Sequence, residues 1–208
     1  DDNSNQPMFD ISQRYLILFN GELYNYLELK KNLKKNFNIN FLTTSDTEVV
    51  LYSLIYLGKK SVKEFDGIFS IIFYDKLLDT ILLIRDRFGV KPLYYHLKNK
   101  KLTISSEIKP IIKSVKTSLN LNRCVSYLSI GCFIDDKTFL DNINIVEPGK
   151  IVLVDKKSSL KISNYNNFSY NNNFKPSKNK IRQTIEKAIS SQVPNTNFGV
   201  LFSGGLDS

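Results

Sequence analysis

The sequence predicts an α+β fold: a domain of antiparallel sheet with helices outside it, followed by the start of a doubly wound α/β domain. Short apolar runs recur between residues 14 and 105, separated by turns rich in Gly, Asn and Asp. That close, regular spacing belongs to antiparallel strands rather than to strands alternating with long helices. Two stretches, near residues 23–33 and 46–57, place their apolar residues at helical spacing instead. Further on, after a polar tract, a helical stripe leads into an apolar run and a Gly-Gly turn, the element order of a doubly wound unit.

The 208 residues are 42% hydrophobic, enough for a substantial core and for one or two domains. The formal charge is +9, but the lysines are scattered in pairs such as Lys30-Lys31 and Lys59-Lys60, without an arginine-rich block. That pattern describes a solvated surface and argues against a nucleic-acid partner. No apolar run approaches the ~18 residues of a spanning helix, and no signal peptide opens the chain, so no membrane partner and a reducing, cytoplasmic location are expected. Cys124 and Cys132 have apolar neighbours and no nearby histidine, and are expected to be buried structural thiols rather than a disulfide or metal pair. His96, the chain's sole histidine, is assigned a surface or packing place and no catalysis.

Residues 14–20 form the first predicted strand, ending at Asn20-Gly21-Glu22. Asn-Gly is a turn signal. Leu23, Tyr26, Leu27, Lys30 and Leu33 then space like one helical face, so the turn is expected to join a strand to a helix. Ser45-Asp46-Thr47-Glu48 reads as the capped, acidic first turn of a helix that Gly58 closes. Residues 68–75, buried on both faces, 80–84, 91–95 and 102–105 read as extended, with Arg85 and Asp86 pairing in a corner between them. A short helix at 122–128 and a strand at 151–154 follow, and residues 164–178 are polar and loop-like. Ile181, Ile185, Ala188 and Ile189 form the stripe of a last helix, and residues 198–202 a short buried strand.

Two places carry chemistry. The corner at Asn20-Gly21 sets a side-chain amide beside a backbone N–H, the pair an oxyanion needs. The same residues also suit an ordinary turn. Ser203-Gly204-Gly205, with Ser208 beyond, sets hydroxyls and N–H groups at a strand end, where they can cradle phosphate. An ordinary Gly-Gly loop is the alternative. The spacing and lysine of a Walker loop are absent.

Phe19-Asn20-Gly21-Glu22-Leu23-Tyr24-Asn25 resembles the N-G-E-[IL]-Y-N motif of class II glutamine amidotransferases. The resemblance implies an αββα sandwich of the N-terminal-nucleophile type. It assigns the oxyanion hole to Asn20 and Gly21, and glutamine binding to these two with Glu22 and with Asp46, whose carboxylate would hold the α-amino group. Residues 203–208 resemble the pyrophosphate loop of ATP pyrophosphatases. That likeness implies an ATP site of Phe202, Ser203, Gly204, Gly205, Asp207 and Ser208, with Mg²⁺ on Asp207. Phe202 stands where leucine is usual. Arg85-Asp86-Arg87-Phe88-Gly89, Lys91-Pro92-Leu93-Tyr94 and Ser105-Ser106-Glu107 recur in asparagine synthetases and read as architectural.

The combination is similar to the glutamine-hydrolysing asparagine synthetases, with residues 1–160 as an N-terminally incomplete glutaminase domain and 175–208 as the truncated start of the ATP-binding domain. The family makes asparagine from aspartate, ATP and glutamine through a β-aspartyl-AMP intermediate, and often forms a homodimer. An amidotransferase-like synthetase for another carboxylate, or a non-catalytic remnant, is the alternative. The family's cysteine nucleophile and its glutamine-carboxylate arginine lie upstream of the matched residues. The chain starts at Asp1, so this piece is expected to hydrolyse no glutamine by itself.

Overall fold

The computed structural model describes residues 4–133, 136–166, 175–193 and 196–205. The chain divides into two compact units, 1–168 and 169–208. In the first, strand β1 (Met8–Phe9) precedes β2 (Tyr15–Leu23), which pairs antiparallel along its whole length with β3 (Gly67–Asp75). Asn20-Gly21-Glu22 is therefore strand and not a turn. A continuous ladder outweighs the local turn preference, because each residue gains a partner across the sheet. The turn falls at Tyr24-Asn25 instead. The Asn25 side chain closes it, donating to the Glu64 carbonyl (2.8 Å) and accepting from the Asp66 N–H (3.1 Å). Helix α1 (Tyr26–Phe37) starts there, so Leu23 belongs to the strand and not to the helical face.

The glycine in β2 serves a close approach rather than a turn. A Cβ at Gly21 would sit 2.1 Å from the Ile68 carbonyl oxygen and 2.6 Å from the Phe69 Cα. Gly67, opposite Leu23, is equally confined: its Cβ would lie 2.2 Å from the Glu22 carbonyl oxygen.

The first sheet has the order β1-β2-β3-β4-β8-β9, where β4 is Thr80–Arg85, β8 Lys150–Val154 and β9 Leu160–Asn164. A second sheet has the order β6-β5-β7, from β5 (Tyr94–Lys98), β6 (Lys101–Ser105) and β7 (Asn144–Ile145). All pairings are antiparallel. Helix α2 (Asp46–Leu57) packs with Ile17, Phe19, Leu23, Phe69 and Ile71 on one side of the first sheet. Leu83 and Val152 on its other side meet Leu93, Tyr95, Ile104 and Val146 of the second sheet and its approach. Helix α3 (Ile108–Ser114), which residue spacing did not reveal, packs on β6 and β5. The layers are thus helix, sheet, sheet, helix, as the αββα expectation requires.

Buried carboxylates fasten the connections. Ser45 Oγ caps α2 by accepting the Thr47 N–H at 3.0 Å. Glu48, 4% exposed, accepts the N–H groups of Leu42 (2.8 Å) and Thr43 (2.7 Å) and the Thr43 hydroxyl. Arg85 and Asp86 are neighbours at a corner but do not hydrogen-bond to each other. Asp86, 1% exposed, accepts the N–H groups of Phe88, Val90 and Lys91. Arg85 donates to the carbonyls of Gly89, Lys91 and Val146. Each charge is satisfied by backbone, which is cheaper than leaving either buried group half paired. Burial lowers the Arg85 pKa, with the Asp86 charge acting the other way.

One packing expectation needs correction, and one is met. Helix α4 (Leu121–Ile130) has no buried residue, and Cys124 is half-buried and Cys132 exposed, both free. Apolar neighbours in sequence do not bury a thiol on, or just after, a helix whose own apolar side chains stay exposed. His96 does pack: it is 5% exposed, and neither ring nitrogen has a partner among the described residues.

The second unit holds helix α5 (Lys178–Ser190), with Ser177 Oγ accepting the Lys180 N–H. Residues 198–202 are not a buried strand. Phe198, Val200, Leu201 and Phe202 are exposed, and no strand among the described residues of this unit stands beside them to supply a ladder. The doubly wound expectation therefore finds one helix here and no sheet among the described residues.

Replacing Gly21 by alanine forces β2 and β3 apart. Gly21→Ala is expected to cost about 2–4 kcal/mol in urea denaturation. A cost below about 1 kcal/mol would show that the ladder yields freely. The Arg14 guanidinium bonds both oxygens of the buried Asp75 carboxylate, at 2.9 and 2.7 Å. This bond, opposed by burial and helped by the N–H groups of Leu78 and Leu77, holds Asp75 below its ordinary pKa. The stabilisation is present above the unfolded carboxylate's pKa and fades as pH falls through the lower folded value. Below about pH 4, thermal midpoints of the wild type should therefore fall more steeply than those of Asp75→Asn. Parallel slopes would contradict the pairing.

Candidate active site

The site grows from the outer edge of β2. Beside β1, the edge is paired through Leu16 and Ile17. Beyond, no strand among the described residues lies next to it, and side chains take over. Gln6 spans Phe19: its Oε1 accepts the Phe19 N–H (2.6 Å) and its Nε2 donates to the Phe19 carbonyl (2.8 Å). Four residues on, Asp46 Oδ2 accepts the Leu23 N–H at 3.0 Å. Strand alternation turns Gly21 to this same edge, between the two. Phe69, opposite Gly21, directs its own N–H and carbonyl to Asp86. Gly21 has no hydrogen-bond partner among the described residues, so one N–H and one carbonyl remain open at that point of the edge.

The side chains of Leu18, Asn20 and Glu22 share the face opposite Phe19 and Leu23. Asn20 opens on a cleft of about 290 Å³ at the mouth between the two sheets, lined also by Gln6, Ser70, Leu93, Ile104 and Ser105. Its carboxamide is exposed and makes no hydrogen bond among the described residues. Glu22, also exposed, follows on the same face. Burial, and next the Glu22 charge, raise the Tyr24 pKa, so the phenol stays protonated. Chemically, the arrangement offers two donors for a developing oxyanion, the Gly21 N–H and the Asn20 amide, and carboxylates for an ammonium.

The structure thus gathers Asn20, Gly21, Glu22 and Asp46 at one end of β2. Asp46 arrives through α2's first turn and its bond to Leu23, and does not itself line the cleft on which Asn20 opens. Gln6 carries no signal of a task in the local sequence. Its partner lies 13 residues away, across a strand pairing that no local pattern announces. Ser70 and Ser105 were likewise read as architecture alone.

The nucleotide candidates are in the second unit. Phe202, Ser203, Gly204 and Gly205 are exposed, Gly204 has the left-handed φ of 75°, and the Gly205 N–H donates to Ser203 Oγ at 3.3 Å. Asp207 and Ser208 lie outside the described residues. No group of three or more His, Cys, Asp or Glu suited to a metal occurs among the described residues. No described helix is long and apolar enough to cross a membrane.

Comparison with known proteins gives the chain's relatives and its fold. Asparagine synthetase [glutamine-hydrolyzing] 1 of Bacillus subtilis is 29% identical over 217 residues, covering all of this chain and 33% of that protein. Asparagine synthetase [glutamine-hydrolyzing] 3 of the same organism is 30% identical, covering 93% of the chain and 32% of its own length. Amidase chry2 of Gibberella zeae is 26% identical over 99% of the chain and 31% of its length. The chain spans about a third of the length of these relatives. Among solved structures, the allosteric regulatory enzyme of purine biosynthesis aligns with a TM-score of 0.56 at 19% identity, over 79% of this chain and 32% of that one. Glutamine phosphoribosylpyrophosphate amidotransferase from B. subtilis aligns with a TM-score of 0.52 at 17% identity, over 77% and 32%. These two likenesses establish the shared amidotransferase fold. The glutamine amidotransferase domain model matches residues 1–166, in keeping with the first unit's sandwich: the chain belongs to the glutamine amidotransferase domain family.

Proposed function

We infer that the first unit binds glutamine at the β2 edge and stabilises the oxyanion formed when its side-chain amide is attacked, so that nitrogen leaves as ammonia. The open N–H of Gly21 beside the unpaired Asn20 carboxamide is the observation that carries this reading. Asn20 and Gly21 share the negative charge on the carbonyl oxygen. Asp46 and Glu22 hold the α-ammonium, and the Asp46 bond to Leu23 fixes that carboxylate relative to the strand. In the family the attacking group is a cysteine upstream of the residues matched here.

The relatives' names carry the proposal further, to asparagine biosynthesis. The released ammonia would attack an aspartate side chain activated by ATP as β-aspartyl-AMP. Residues 202–208 would serve the nucleotide: Phe202 against it, Ser203, Gly204, Gly205 and Ser208 on phosphate, Asp207 for Mg²⁺. The positive φ of Gly204 suits a loop that turns its N–H groups outward. Magnesium would neutralise phosphate charge there. The likeness to amidase chry2, over 99% of this chain and 31% of that protein, favours a second reading, in which the same site feeds another acceptor.

Titration calorimetry with glutamine tests the first step. The chain is expected to bind glutamine in preference to asparagine. Asp46→Asn should weaken binding about tenfold or more through loss of the ammonium's charged partner, whereas Asn20→Ala should change ground-state affinity less. Absence of binding, or an Asp46→Asn variant with unchanged affinity, would overturn the assignment.

A further inference from the structure

We propose that Gln6 is a positioning residue of this site, its carboxamide bonding the β2 edge as a neighbouring strand would. The claim rests on the glutamine-binding reading of the β2 edge. A strand residue beside Phe19 would offer one acceptor and one donor at ladder spacing, and Gln6 offers the same pair from a side chain, at 2.6 and 2.8 Å. The clamp grips the residue immediately before Asn20. The other hold on the edge, Asp46 on Leu23, grips two residues beyond Gly21. Gly21 is held between two fixed points of the edge. At the same time Gln6 lines the cleft on which Asn20 opens.

The clamp is not needed for the core. Gln6 is exposed, while the packing of this strand is supplied by Ile17, Phe19 and Leu23 against α2. A side chain that satisfies both groups of an edge residue from the solvent side does little for burial. It fixes where the next two residues point. One N–H of its amide and one lone pair are left over at the cleft, so a ligand seated against Asn20 would meet Gln6 as well.

The test is nuclear magnetic resonance on the full chain, comparing wild type, Gln6→Ala and Gln6→Glu, without ligand and with glutamine. In Gln6→Ala the Gly21 backbone amide and the Asn20 side-chain amide resonances should shift. Exchange of the Phe19 amide should quicken about tenfold, and glutamine affinity should fall about tenfold, while the thermal midpoint stays within about 2 °C. Gln6→Glu keeps an acceptor for the Phe19 N–H and loses the donor to its carbonyl, so Phe19 exchange should be partly protected while the Asn20 signal still moves. Unmoved Asn20 and Gly21 resonances in Gln6→Ala, with only Phe19 exchange quickened, would show a simple edge cap and overturn the proposal. If those resonances move but the wild type binds no glutamine, the positioning role stands and the glutamine reading falls.

Discussion

The structure depends on the close approach of β2 and β3. Two glycines, Gly21 and Gly67, remove the side chains that would otherwise keep the backbones apart, and each lies against the carbonyl of a residue on the other strand. This contact draws β2 straight through a sequence that reads locally as a turn. It also decides which of the strand's groups are consumed by the ladder and which face outward. Even-numbered residues give their N–H and carbonyl groups to β3, and odd-numbered ones turn to the other edge. The open position at Gly21 is a product of that parity, set by a register that runs unbroken from Tyr15 to Leu23.

Carboxylates in this fold mostly bind backbone rather than bases. Asp10 accepts from Ser12 and Tyr15, Glu48 from Leu42 and Thr43, Asp86 from three residues of its loop, and Asp46 from Leu23. An ionised carboxylate has acceptors only, and a loop without a strand beside it has donors to spare. The match lets a lysine-rich chain keep its acidic groups inside the sandwich as fasteners. Asp75 combines both habits, taking Arg14 on one side and the turn at Leu77 and Leu78 on the other.

Much of the sandwich was legible because its signals are local. The cap at Ser45, the stop at Gly58, and the apolar runs of β3, β4 and β8 announce themselves within a few residues. The site was legible as a set of names, Asn20, Gly21, Glu22 and Asp46, through resemblance. Its geometry was not, because whether Asn20-Gly21 turns or extends is settled by β3, which begins more than 40 residues later. Gln6 was hidden for the same reason. The cysteines misled because α4, which carries Cys124 and precedes Cys132, has an apolar sequence whose Leu121, Val125 and Leu128 are all exposed. Residues 198–202 misled likewise, since an apolar run becomes a strand only where another strand stands beside it.

The way the β2 edge is finished has a consequence for how the molecule behaves in a crowd. A bare sheet edge is a template on which a second chain can zip up, residue after residue, into an aggregate. Here a side-chain amide fills one rung and a carboxylate caps another, with the donor of Gly21 between them. An incoming strand would need several consecutive rungs, at roughly 6.7 Å for every two residues, and between Phe19 and Leu23 finds a single one among the described residues. A small molecule needs no more than that, so the same finish that discourages polymerisation leaves room for a compact guest.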